Sequence, residues 1–177
     1  SNGSLYRITP AGQATRLDRT GGFPADGPLS AMSFNRVMGL ELDEANQVLY
    51  VTDGASTGGG ARVILWRIDL TSQMVERYAG APSTSSFADG TPRLNARIEN
   101  AGPLTLGPDG NLYFGARTSV GGRAALRYID GVSGTFETLI PEASDSSSCG
   151  ALALFDCSAP TCALVFPPTG DPVIVGT

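Results

Sequence analysis

The chain has 177 residues, of which 41% are hydrophobic and 16% charged, and its formal net charge is −5. This length favours one domain, because such a chain buries about 70% of its unfolded surface in a single core. The negative charge argues against a nucleic-acid surface, which needs clustered Lys and Arg. No run of about 18 apolar residues is present to span a bilayer, and the lack of histidine excludes Ser-His-Asp and Cys-His catalysis within the chain.

Residues 1–17 predict a β-hairpin that forms half of a repeated unit. A strand is expected at Leu5–Thr9, followed by a turn at Pro10–Gly12 and a second strand that ends at Leu17. The Leu5–Ile8 segment recurs as Leu65–Ile68 and Leu126–Ile129, at intervals of about 60 residues. Repeats of this size, each with several strands, indicate an array of similar sheets.

Two complete units are predicted next, at residues 25–80 and 88–141. Each opens with Ala-Asp-Gly and continues with two strands joined by a polar turn, a glycine-rich loop and a further hairpin. In the third strand of the first unit, alternation places Ile64, Trp66 and Ile68 on one side and Val63 and Leu65 on the other. Both faces of the sheet are therefore apolar and must be covered, which predicts sheets stacked side by side.

Residues 148–177 supply only two strands of a last unit, at Ala163–Phe166 and Val173–Val175. The sum is an all-β fold: a β-propeller of four-stranded antiparallel blades, with about three blades in this chain. Propellers typically have four to eight blades. We therefore expect either part of a longer propeller or a homo-oligomer in which two copies join into a six-bladed ring, each completing the split blades of the other.

The second unit resembles the NHL repeat. The resemblance is carried by Ala88–Gly90, Ala96–Ile98 and the segment Leu104–Tyr113, which reads LTLGPDGNLY. Pro103 and Gly115–Ala116 depart from the repeat pattern. The resemblance implies a six-bladed β-propeller, a fold that is found in binding proteins and enzymes alike.

The segment Gly39–Gly54 is also similar to a strand pair of gluconolactonase-like (SMP-30) propellers. That similarity implies that Asp53 occupies the place of a divalent-metal ligand in the central channel. Met38 stands where that family carries an Asn ligand, and Ala116 takes the place of Asp53 in the next unit. The structural alternative is that Asp53 accepts backbone N–H groups at the end of its strand.

Asp26 and Asp89 recur at the same point of the two complete units. One hypothesis is a ring of carboxylates that binds cations or cationic ligands at one mouth of the propeller. The other is a turn in which the aspartate bonds the backbone and the following glycine supplies a positive φ.

The three cysteines, Cys149, Cys157 and Cys162, fall in the last unit without a C-x-x-C pair. Their spacing favours a disulfide over a metal site. One bridge is expected, with preference for Cys149–Cys157, and the third thiol is free or paired to another chain. A disulfide predicts an extracytoplasmic location, whether secreted, periplasmic or at the cell surface.

We expect a protein without a resident cofactor that binds or assembles with other macromolecules through split-blade edges and rim loops. The loops are Ser56–Gly60, Ser83–Phe87 and Ser119–Gly122. The alternative is a lactonase-type or lyase-type enzyme with Ca²⁺ or another divalent ion in the central channel, where several oxygen ligands must converge.

Overall fold

The computed structural model describes residues 3–19, 25–55, 62–81, 87–98, 104–117, 124–140, 163–165 and 173–175. These residues form fourteen strands and two single-turn 3-10 helices, neither of which is long and apolar enough to cross a membrane. The strands are β1 (Tyr6–Ile8), β2 (Ala14–Arg16), β3 (Gly27–Pro28), β4 (Val37–Asp43), β5 (Val48–Ala55), β6 (Arg62–Asp69), β7 (Met74–Ala79), β8 (Thr91–Pro92), β9 (Leu104–Leu106), β10 (Leu112–Arg117), β11 (Ala124–Ile129), β12 (Thr135–Ile140), β13 (Ala163–Val165) and β14 (Val173–Val175). The helices are Leu29–Ala31 and Arg93–Asn95.

Two five-stranded antiparallel sheets form the body of the described chain. The first sheet has the strand order β3-β7-β6-β5-β4 and the second sheet has the same order, β8-β12-β11-β10-β9. Two separate hairpins, β1-β2 and β13-β14, complete the described strands. The prediction of an all-β fold built from antiparallel sheets is confirmed. Each complete sheet has five strands and not the four predicted, because a two-residue strand, β3 or β8, adds to its margin.

Tight turns join β4 to β5 and β6 to β7 in the first sheet, and β9 to β10 and β11 to β12 in the second. Each of these four turns holds one residue in the left-handed region. In the second sheet this residue is Gly110 or Gly134, whereas in the first sheet it is Gln47 (φ 54°) or Gln73 (φ 59°). A residue with a Cβ atom adopts this conformation at a cost of about 1 kcal/mol. The first sheet therefore tolerates a small local strain that glycine removes in the second.

The two sheets pack face to face through one hydrophobic core. Val63 and Leu65 of β6 contribute to it from the first sheet, and Phe114 and Ile129 contribute from the second. The opposite face of the first sheet forms another core, in which Trp66 and its neighbours pack with Leu5 of the N-terminal hairpin and with residues after the first 3-10 helix. The predicted division of the third strand into two apolar faces is therefore confirmed.

The strands β4 and β9 are the edge strands of the two sheets that lie next to each other, and we call them the inner strands. The Glu41 carboxylate on β4 accepts a hydrogen bond of 2.8 Å from the N–H of Leu106 on β9. On the other side, β9 contacts β13. The inner strands thus lie side by side in the order β4, β9, β13. The face of the first sheet that is turned away from the second sheet packs against the N-terminal hairpin.

Candidate interaction surface

Asp53 lies at the end of β5, where it pairs in register with Val37 of the inner strand β4. Its side chain is buried, and its two carboxylate oxygens accept the backbone N–H groups of Arg36 (2.6 Å) and Asn35 (3.2 Å). Burial raises the pKa of Asp53, and the two N–H donors act in the opposite direction. These contacts hold the chain before β4 against β5.

Asp26 and Asp89 each lie beside the outer long strand of their own sheet. Asp26 accepts the backbone N–H of Arg77 on β7 at 2.7 Å. Asp89 accepts the hydroxyl of Thr138 on β12 at 2.8 Å and forms an ion pair of 3.0 Å with Arg127.

The structure does not bring Asp26, Asp53 and Asp89 together. In the described ranges, no group of three or more His, Cys, Asp or Glu side chains is placed to hold a metal ion. The roles of Asp53 in metal binding and of Asp26 and Asp89 in ligand binding stay predictions, and they are not needed to explain the observed contacts.

Several other predicted features lie outside the described residues. They include Cys149, Cys157 and Cys162, and, apart from Phe87, the three rim loops 56–60, 83–87 and 119–122. The disulfide and the extracytoplasmic location therefore stay predictions.

Four large apolar side chains form what we call the open surface, on the side of the first sheet that carries the N-terminal hairpin. On β1, Tyr6 is 55% exposed and Ile8 is 68% exposed; on β4, Leu40 is 50% exposed and Leu42 is 51% exposed. A single exposed apolar residue needs no explanation, whereas two pairs of large exposed apolar side chains make β1 and β4 a candidate interaction surface.

The positions equivalent to those on β1 are buried in both complete sheets. Ile68 and Ile129, which correspond to Ile8, are each 0% exposed, and Trp66 and Arg127, which correspond to Tyr6, are each 4% exposed. In each complete sheet this face is covered by the element that precedes it in the stack. Within the described part of the chain, Tyr6 and Ile8 therefore lack the cover that the equivalent residues of the two complete sheets have.

The inner strands show the same contrast. Leu40 pairs with Val51 on β5, and its counterpart Leu104 pairs with Phe114 on β10. Leu104 is only 5% exposed, because β9 lies against β4. The hairpin β1-β2 packs on the part of the first sheet formed by β6 and β7. In the described part of the chain, no strand lies against Leu40 as β4 lies against Leu104.

The backbone of β1 also presents a strand edge. The Leu17 N–H donates to the Leu5 carbonyl and the Thr9 N–H donates to the Gln13 carbonyl, each at 2.9 Å. Alternate residues of an antiparallel pair bond to the partner strand, so the N–H and C=O groups of Tyr6 and Ile8 point to the other side. In the described part of the chain, no strand pairs with that side.

Sequence reasoning named the split-blade edges but missed Leu40 and Leu42 as surface residues. Their alternation within β4 is that of a strand with one buried face, and only the stacking of the sheets shows which face lacks a cover. The available signal was the repeat itself, because equivalent leucines in two units need equivalent neighbours.

Comparison with models of known protein families gives no match for this chain. Comparison with curated proteins gives no match either.

Proposed function

We propose that the chain is a segment of an NHL-like β-propeller that acts outside the cytoplasm as a binding or assembly module. The observation that carries the proposal is the open surface: Leu40 is half-exposed, whereas Leu104 at the same position of the second sheet is buried. Covering such a surface is favourable in water, because each Å² of apolar area that is buried contributes about 25 cal/mol of free energy.

The packing of the two complete sheets supports a propeller-like stack. The face of each sheet that meets the preceding element is built from equivalent positions, namely Val51, Trp66 and Ile68 in the first sheet and Phe114, Arg127 and Ile129 in the second. A sandwich of two sheets needs only one apolar face on each sheet. The first sheet has two, which supports a stack of more than two layers.

The cysteines support the extracytoplasmic part of the proposal, because disulfides persist in oxidising compartments. Thiol titration of the native protein measures this directly. We expect one free thiol among Cys149, Cys157 and Cys162, or none if the third pairs with another chain. Three free thiols would remove the argument for the location and leave the assembly role unaffected.

The assembly role is tested by the mass of the protein in solution. We expect light scattering to give a mass above the 18.3 kDa of one chain. The double variant Leu40→Asp/Leu42→Asp should shift the mass to that of one chain, because each charge opposes burial of the surface.

Val132→Asp is the matched control, since Val132 is a 97% exposed apolar residue in the turn between β11 and β12. This variant should keep the wild-type mass. A wild-type chain that is a well-folded, soluble monomer, or a mass that the leucine variant leaves unchanged, would overturn the proposal.

A further inference from the structure

We draw no further inference here: the strongest candidate, the open surface that Tyr6 and Ile8 on β1 form with Leu40 and Leu42 on β4, is an unpartnered apolar face, and nothing in the described part of the chain shows what covers it.

Discussion

The two complete sheets have the same strand order, yet equivalent positions are filled by different chemistry. Trp66 on β6 and Arg127 on β11 occupy the same place and are each 4% exposed. The Arg127 guanidinium lies 4.4 Å from the centre of the Phe136 ring and donates to the Phe87 carbonyl and the Asp89 carboxylate. The position thus accommodates a large flat group, and either an indole or a guanidinium fills it.

Arg127 shows how a charge fits into an apolar stack. A guanidinium is planar, stacks on aromatic rings and is weakly hydrated, which lowers the cost of burying it. Asp89 is about half exposed, so the ion pair joins the buried face to the solvent. At this position the two sheets therefore share burial and a flat side chain, although only one of the two side chains is apolar.

The two hydrophobic cores give the largest expected effects. Phe114 and Val51 occupy equivalent positions and are 1% and 0% exposed. Phe114→Ala should lower the free energy of unfolding by about 3–5 kcal/mol, and Val51→Ala by about 2 kcal/mol, because the larger side chain leaves the larger cavity. Urea unfolding at one fixed protein concentration measures both values.

A loss below about 1 kcal/mol for Phe114→Ala would contradict tight packing of the sheets at this position. Leu139→Ala is the matched control, since Leu139 is 44% exposed on β12. Its effect should stay within about 0.5 kcal/mol.

Asp53 is a second position at which the two sheets differ in chemistry, because the second sheet has Ala116 at the same place. Asp53→Ala should lower the free energy of unfolding by about 2 kcal/mol, since it leaves the N–H groups of Asn35 and Arg36 without their acceptor. Asp26→Ala is the control, because Asp26 is exposed and accepts one backbone N–H. We expect a smaller loss there.

The same variant tests the metal hypothesis. If Asp53 only fixes the backbone, millimolar Ca²⁺ should leave the Tm of wild type and of Asp53→Ala unchanged. A rise in Tm that requires Asp53 would contradict this role and support the divalent-ion site, because an ion that binds the folded state raises its stability.

Glu41 gives the smallest expected effect. Thr105 takes its place in the second sheet, as judged from their pairing with Tyr50 and Tyr113. Burial raises the pKa of Glu41, and its bond to the Leu106 N–H partly opposes this. Above the ordinary carboxyl pKa of about 4.3, the unfolded chain releases this proton before the folded chain does.

The contribution of Glu41 to the free energy of unfolding therefore falls as the pH rises from about 4.3 through the raised pKa of the folded state. Glu41→Gln keeps an acceptor for the Leu106 N–H and removes the titration. Over this pH range the free energy of unfolding of the wild type should fall by less than about 1 kcal/mol relative to that of the variant, because the half-exposed group is screened by water. A difference that grows in the opposite direction would contradict the assignment.

The strands and their faces could be predicted from the sequence because they depend on local alternation. The strands at Met74–Ala79 and Thr135–Ile140 lie near the end of the two complete units, where the sequence predicts a further hairpin. The two-residue strands at Gly27–Pro28 and Thr91–Pro92 were missed, since two residues show no alternation and proline argues against a strand.

The contacts of the site depend on how whole sheets stack, and local patterns do not encode them. The bond from Leu106 to Glu41 joins residues 65 positions apart, and that from Arg127 to Asp89 joins residues 38 positions apart. The recurrence of Asp26 and Asp89 is visible in the sequence. The hydrogen bonds that they accept from β7 and β12 follow only from the folded arrangement. The exposure of Leu40 also depends on the stacking, because it is set by which elements lie against the first sheet.

The prolines of the short strands have a consequence for how copies of the protein meet. Pro28 and Pro92 lie on the outermost strand of each sheet, and proline has no N–H to offer to a further strand. The outer margins are thus poor templates for the lateral growth that leads to fibrils. Open-ended aggregation is discouraged at the perimeter, while β1 keeps a free strand edge.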